Sequence, residues 1–210
     1  METMEQQTEN MERLYKQGLR LEYLTVGYNI VEAALSIVFG HIAGSIALVG
    51  FGLDSIVESL SGFVLIWRLR MHGKVSEEEE ERVEHRAMRF VALTFFVLGA
   101  YVLYQSVRKL VIREIPDPSL AGILIAAVSL IVMPLLTLRK LKVGRAIGSE
   151  ALVADAKETM ACAFLSVALI LGLGLNFLFG LWQADAVAGL VIFVFLFREG
   201  WESWNEASEP

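Results

Sequence analysis

One apolar stretch of 45 residues decides the fold. Residues 23–67 read YLTVGYNIVEAALSIVFGHIAGSIALVGFGLDSIVESLSGFVLIW. Its charged or titratable interruptions are Glu32, His41, Asp54 and Glu58. As one helix the stretch would measure about 68 Å, roughly twice the hydrocarbon thickness of a bilayer. The chain must therefore fold back, and residues 40–45 (GHIAGS) are the segment most typical of a turn. We predict two membrane-spanning helices here, residues 21–39 and 44–67.

The composition of the chain agrees with a membrane protein. Of its 210 residues, 55% are hydrophobic and 20% are charged, and the mean hydropathy is +0.55. Globular domains average about 45–50% apolar and about 25% charged residues. Six spans of about 20 residues would use most of the chain, which excludes a large extramembrane enzyme domain. The net charge of −6 argues against nucleic acid as a partner, because nucleic-acid binding usually needs a basic face.

Four further apolar spans follow the first two. They cover residues 90–107, 119–138, 150–173 and 182–197. The charged stretch 68–89 is interpreted as a solvated loop with a helical end, and 139–145 as a short basic loop. We therefore predict an all-α membrane protein with six transmembrane helices. Its predicted parts are an amino-terminal tail (1–20), a transmembrane domain (21–197) and a carboxyl-terminal tail (198–210).

The basic residues predict the orientation of these spans. Fourteen Lys and Arg lie in the two tails and in the 68–89 and 139–145 loops, whereas three lie on the alternate face. Because cytoplasmic loops carry the excess of Lys and Arg, both termini are predicted to be cytoplasmic. The first 20 residues hold no apolar stretch, so they do not form a cleavable signal peptide. We expect a multi-pass protein of the cell membrane.

Four polar side chains inside the spans are candidate metal ligands. A charged group within a bilayer costs about 2.5–3.5 kcal/mol on insertion scales, so each needs a reason to be there. Asp54 and Glu58 are four residues apart in span 2 and share one helix face, as do Glu158 and Cys162 in span 5. All four fall within about 9 Å of one another in depth. Three carboxylates and a thiol at about the same depth in the membrane predict a site for a divalent cation.

Other interpretations of these residues stay open. The span-2 carboxylates could form a proton relay or a structural pair with Lys157. A lone cysteine in an apolar helix is usually a packing residue, and Cys162 has no second cysteine for an intrachain disulfide. Further polar residues of spans 1 and 5 could line the same cavity. These are Tyr28, Asn29, Glu32 and Asp155.

Spans 2, 5 and 6 resemble the cation diffusion facilitator family. In span 2, GSIAL at 44–48 and DSIVE at 54–58 resemble the family's second helix, which carries an Asp-x-x-x-Asp metal pair. In span 5, ADAKETMAC at 154–162 resembles its fifth helix, where an Ala-Asp-Ala start precedes a His-x-x-x-Asp pair. The Ala-Asp pair at 184–185 is similar to the sixth helix. The resemblance covers roughly residues 20–200.

Three ligand positions depart from the family's pattern. Glu58 stands where Asp is usual, and Glu158 and Cys162 stand where His and Asp are usual. Oxygen ligands accept several divalent ions, whereas a thiolate favours softer ions such as Zn²⁺ or Cd²⁺. The resemblance implies a transporter that exports a divalent transition metal in exchange for protons. Zn²⁺ is the first expectation, with Cd²⁺, Co²⁺, Fe²⁺ or Mn²⁺ as alternatives and no organic cofactor.

The resemblance also sets expectations for partners. It implies a homodimer formed through the transmembrane helices, in a short form that lacks the family's cytoplasmic carboxyl-terminal domain. The other expected partners are the cation, protons and the lipid bilayer. We do not expect an enzyme, because no nucleophile, metalloprotease or phosphate-loop motif is present in the sequence. The alternative function is a metal-binding or regulatory membrane protein that does not transport.

Overall fold

The computed structural model describes residues 2–71 and 77–207, and this part of the chain folds into six α-helices. They are α1 (Glu2–Ala43), α2 (Ile46–Met71), α3 (Glu77–Ile112), α4 (Leu120–Ile147), α5 (Glu150–Phe179) and α6 (Gln183–Glu206). The first five are long and apolar enough to cross a membrane. The sixth carries Asp185 near its start and Arg198 and Glu199 near its end. The prediction of an all-α, multi-pass membrane fold is confirmed.

The second helix lies at the centre of the bundle. The most extensive contacts pair α1 with α2, α4 with α5, and α3 with α6, and α2 also packs against α3, α5 and α6. As a result 67% of the most apolar 18-residue segment of α2 is buried inside the protein. This is the largest share among the five helices that are long and apolar enough to span a membrane. Polar residues on α2 are therefore enclosed by protein rather than by lipid.

The predicted turn between the first two spans is present. Helix α1 ends just before Gly44, which has a positive φ of 61° that an L-residue with a side chain rarely adopts. Helix α2 then begins immediately after Ser45, whose hydroxyl accepts a hydrogen bond of 3.1 Å from the Leu48 N–H. That bond satisfies one of the amide groups that the first turn of a helix leaves free.

The start of α6 holds the start of α2 in place. The buried Asp185 carboxylate accepts hydrogen bonds from the Ser45 hydroxyl and, at 2.9 Å, from the Ile46 N–H. On the same turn, the Lys109 ammonium of α3 donates to the Gly44 carbonyl. The Asp-containing start of span 6 therefore caps the start of α2.

Several segments predicted to be polar connections are helical instead. The prediction of a basic loop at 139–145 is wrong, because α4 continues to Ile147 and buries Lys140 and Val143. The charged amino-terminal residues belong to α1, and α6 continues past residue 197 to Glu206. Most of the 68–89 stretch lies in the ends of α2 and α3, while residues 72–76 lie outside the described part. In each case the helix continues beyond the bilayer-length apolar run from which the boundaries were predicted.

Lys140 joins three helices through a fully buried ion-pair network. Its ammonium pairs with Asp155 of α5 and, at 3.1 Å, with Glu22 of α1, and it donates to the Thr159 hydroxyl at 3.3 Å. The side chains of Lys140 and Glu22 are wholly inaccessible to solvent. We call Lys140, Glu22 and Asp155 the lysine triad. Removing one partner from a buried network leaves an uncompensated charge, which is strongly destabilising.

Replacing the lysine of this triad should destabilise the fold. We expect Lys140→Met to lower the free energy of unfolding by about 3–5 kcal/mol, because two buried carboxylates lose their cation. Thermal unfolding in detergent measures the change. Lys142→Met, at an exposed position on the same helix, is the matched control. Equal melting temperatures for the two variants would contradict a structural role for the triad.

Candidate metal centre

Asp54, Glu58 and Cys162 meet between α2 and α5. The ligand atoms of the three residues all lie within 4.8 Å of one another. The residues are only 7%, 6% and 2% exposed, respectively. A cluster this tight needs only small side-chain movements for one ion to contact two carboxylate oxygens and a thiolate sulfur. The structure thus brings together three of the four predicted ligands, and we call them the buried cluster.

The local sequence of α2 explains how its two carboxylates come to share one face. Asp54 and Glu58 lie one helical turn apart, and the neighbouring hydroxyls of Ser55 and Ser59 bond to backbone carbonyls one turn earlier, at 3.1 and 2.8 Å. Such bonds to the preceding turn are common for hydroxyls in helices, and the Ser55 hydroxyl is shared between its backbone carbonyl and Glu32 of α1. The serines do not neutralise the carboxylates. On α5, Cys162 stands between two alanines, whose small side chains leave room for α2.

Helix α1 brings another carboxylate against the buried cluster. Glu32 is 3% exposed, and its Oε2 atom accepts a hydrogen bond of 2.8 Å from Ser55 and lies 4.0 Å from the sulfur of Cys162. The close approach of α1 depends on Gly52, where an added methyl group would lie 2.8 Å from the Ile37 side chain. Glu32 therefore contacts the cluster from the side of α1.

Within the described part of the chain, no basic side chain forms an ion pair with the carboxylates of the buried cluster. Neither carboxylate oxygen of Glu58 has a partner with hydrogen-bond geometry in the described part of the chain. Asp54 and Glu58 lie close enough to repel each other when both are charged. The charge of Lys140 reaches Glu58, but that lysine is already paired with two other carboxylates. A cation bound between α2 and α5 would relieve both the repulsion and the missing contacts.

Among the described residues, a small inner cavity adjoins the cluster and a larger outer cavity adjoins the inner one. The inner cavity, of about 10 Å³, is lined by the cluster and by the half-buried Glu158. That volume is roughly the space of one water-sized sphere. The outer cavity, of about 390 Å³, shares Glu158, Ala161, Phe195 and Glu199 with the lining of the inner one. Glu158, the fourth predicted ligand, thus faces the cluster from between the two cavities rather than lying within it.

The remaining predicted residues are placed elsewhere. Asp155 does not line the inner cavity, because its carboxylate pairs with Lys140. Tyr28 is half-buried on the same face of α1 as Glu32, one turn away. Asn29 is fully buried, and both polar atoms of its side chain lack a partner within the described residues. None of these residues lines the inner cavity.

Sequence reasoning missed one residue that does face the cluster. Glu199 falls in the segment predicted to be a polar tail, but α6 continues through it, and Glu199 lines both cavities. Glu199 is four residues after Phe195, which lines the same cavities, so the two residues share one face of α6. This spacing is the sequence signal that could have identified Glu199. Lys157 is exposed on the outer cavity, so the structural pair with the carboxylates of α2 is not formed.

Comparison with known proteins assigns the chain to a family. Residues 23–208 match the family model described as the cation efflux transmembrane domain. The chain belongs to the cation efflux family. This result confirms the resemblance to the cation diffusion facilitators that the sequence shows in spans 2, 5 and 6.

Relatives within the cation efflux family include transport proteins from archaea and bacteria. The chain is 26% identical over 173 residues to an uncharacterised transporter of Methanocaldococcus jannaschii, covering 80% of this chain and 61% of that one. It is 22% identical over 197 residues to the manganese efflux system protein MneS of Bacillus subtilis, covering 92% and 68%. It is 26% identical over 149 residues to the magnetosome protein MamB of a Magnetospira species, covering 69% and 51%. The chain thus spans about half to two thirds of the length of these relatives.

The thiol of the buried cluster should set the order of metal preference. We expect Cys162→Ser to weaken the binding of Zn²⁺ and Cd²⁺ by roughly 10–100-fold and that of Mn²⁺ much less, because a thiolate favours soft ions. Competition binding across the three ions measures the order, and Mn²⁺ serves as the internal control. If the order of preference does not change, Cys162 is a packing residue and not a ligand.

Proposed function

We propose that this protein is a secondary transporter that exports a divalent transition-metal cation in exchange for protons. The observation that carries the proposal is the buried cluster: two carboxylates and a thiol that meet inside a membrane domain without a cation among them. Membership of the cation efflux family supports it, as does the similarity to a manganese efflux protein. The same similarities point to a transporter and not to an enzyme.

The proposed ligands are Asp54, Glu58 and Cys162, with Glu158 as the fourth. Zinc is usually bound by four ligands, at about 2.3 Å for sulfur and about 2.0–2.2 Å for oxygen. The buried cluster supplies three of them, and Glu158 reaches the same inner cavity from one turn before Cys162. A mixed set of oxygen and sulfur ligands favours Zn²⁺ over harder ions such as Mn²⁺. Zn²⁺ is therefore our first candidate for the substrate.

Proton exchange follows from the chemistry of these ligands. A metal ion binds the deprotonated carboxylate and thiolate forms, so loading the cluster releases protons. When the ion leaves, adjacent buried carboxylates repel each other, and protonation removes the repulsion. A cluster that accepts either one divalent ion or protons couples the two flows if it is exposed to each side of the membrane in turn. The cycle needs no covalent chemistry.

The shape of the bundle supports loading from one side. The outer cavity lies where α4 and α6 end and α5 begins, the side that the basic residues predict to be cytoplasmic. At the opposite end, Asp185 and Lys109 tie the start of α2 to α6 and α3. We propose a protein of the cell membrane with both termini in the cytoplasm, which binds the ion from that side. We also propose that it works as a homodimer joined through its transmembrane helices.

Removing the carboxylates of α2 tests the proposed exchange. In proteoliposomes with a zinc gradient and a lumenal pH indicator, we expect Asp54→Asn/Glu58→Gln to reduce zinc-driven proton flux to the level of protein-free liposomes. Two of the ligands then lose the charge that binds the metal. The matched control is Glu12→Gln/Asp117→Asn, which makes the same exchanges at two exposed positions.

The result also separates the two candidate functions. Undiminished flux in the Asp54→Asn/Glu58→Gln variant would contradict the proposed transport site. Zinc-dependent thermal stabilisation of the parent protein without any proton flux would favour the alternative of a metal-binding membrane protein that does not transport.

A further inference from the structure

The outer and inner cavities adjoin each other where their linings overlap, and we call this junction the passage. Four residues line both: Glu158 and Ala161 of α5, and Phe195 and Glu199 of α6. Two of the four are apolar and two are acidic, so among the described residues the charged groups shared by the two linings are both carboxylates. An ion that moves from the outer cavity to the buried cluster passes between these two helices.

The packing of α6 against α3 aims Glu199 at this passage. The adjacent Gly200 is buried, and a methyl group added there would lie 2.9 Å from the Phe95 side chain and 3.3 Å from the Ala92 carbonyl. This close contact fixes the rotation of α6 about its own axis. Phe195 and Glu199, one turn apart, consequently face α5 and the cluster. A larger residue at position 200 would rotate or displace them.

Polar groups without partners point into both cavities. Thr137 lines the outer cavity, is 1% exposed, and its hydroxyl has no hydrogen-bond partner within the described residues. Glu58 lines the inner cavity, is 6% exposed, and both of its carboxylate oxygens lack such a partner. Glu199 lies close enough to Asp54 to add to the negative charge there. Oxygen atoms that lack donors on both sides of the passage fit an incoming hydrated cation.

We propose that Glu199, together with Glu158, captures a divalent cation from the outer cavity and passes it to the buried cluster. The inference rests on the proposed function and extends it to a residue outside the motifs of spans 2 and 5. Glu199 acts on the approach of the ion, whereas the cluster holds the ion at equilibrium.

The neighbouring charges explain why the passage needs a carboxylate. Lys157 and Arg198 also line the outer cavity, and both repel a cation. Arg198 is compensated by Glu202, with which it forms an ion pair of 2.8 Å. The outer cavity thus carries charges of both signs, but the charged residues that it shares with the inner cavity are carboxylates. Charge of one sign at such a junction raises the local concentration of its counter-ion and speeds association by about 10–10³-fold. Glu158 and Glu199 supply that negative sign where the cavity narrows.

The rate of zinc loading tests this inference. We expect Glu199→Gln and Glu199→Ala to slow Zn²⁺ association by roughly tenfold or more, the lower end of the range for electrostatic steering. Glu199→Asp, which keeps the charge, should stay close to the parent. Stopped-flow mixing of the purified full chain in detergent with Zn²⁺ and a fluorescent zinc indicator measures the rate. Equilibrium dialysis should still find the parent's amount of zinc bound at saturation.

The controls distinguish this inference from the proposed function. Glu12→Gln makes the same exchange at an exposed residue that lines neither cavity, and it should load zinc at the parent rate. A normal rate in folded Glu199→Gln and Glu199→Ala would overturn the inference and leave the proposed site intact. Loss of zinc at saturation in these variants would also overturn it, because Glu199 would then be a ligand. If the parent binds none of Zn²⁺, Cd²⁺ and Mn²⁺, or Asp54→Asn/Glu58→Gln binds as much zinc as the parent, the proposed function fails.

Discussion

An ionisable side chain inside a membrane protein must be paired with an opposite charge or neutralised by a proton, because the low dielectric there makes an isolated ion costly. The bundle meets this requirement in two ways. In the lysine triad, Glu22 and Asp155 share the ammonium of Lys140, which the chain itself supplies. In the buried cluster the described residues supply acids and a thiol but no cation. The charges of the first arrangement are compensated within the protein, whereas those of the second are neutralised by a metal ion or by protons from outside.

The two arrangements are joined through one face of α5. Asp155, Thr159 and Cys162 follow one another at helical spacing, so the triad and the cluster occupy successive turns of the same helix. Lys140 binds that face through Asp155 and Thr159. This contact restrains the rotation of α5 and so helps to orient the Cys162 side chain toward α2. The side of α2 that carries the carboxylates is set independently, by the capping of its start at the opposite end of the bundle. The geometry of the cluster thus depends on ion pairs and caps that do not themselves touch the ion.

Much of the fold could be predicted from the sequence, because bilayer thickness limits the length of an apolar helix. The same limit places the turn near Gly44, and four-residue spacing puts Asp54 and Glu58 on one face. The role of Lys140 could not be predicted in this way. A basic residue just beyond an apolar run looks like a loop residue, and only the tertiary structure shows which acids enclose it.

Helix rotation is the other feature that the sequence does not reveal. Spacing puts Glu158 and Cys162 on the same face of α5 but does not say which of them points directly at α2. In the structure Cys162 joins the cluster and Glu158 lines the passage beside it. The position of Glu199 could not be predicted for the same reason, since the charged end of a helix is normally exposed to solvent. Its direction is decided by the contact of Gly200 with α3.

The central claim is that one divalent ion binds between α2 and α5 to carboxylates and the thiol together. X-ray absorption at the zinc edge of the zinc-loaded protein tests it most directly. The account predicts one sulfur neighbour at about 2.3 Å, with the remaining neighbours oxygen atoms at about 2.0–2.2 Å. The sulfur contribution should disappear in Cys162→Ser, while zinc stays coordinated by oxygen. A spectrum of the parent protein with no sulfur neighbour would contradict the account.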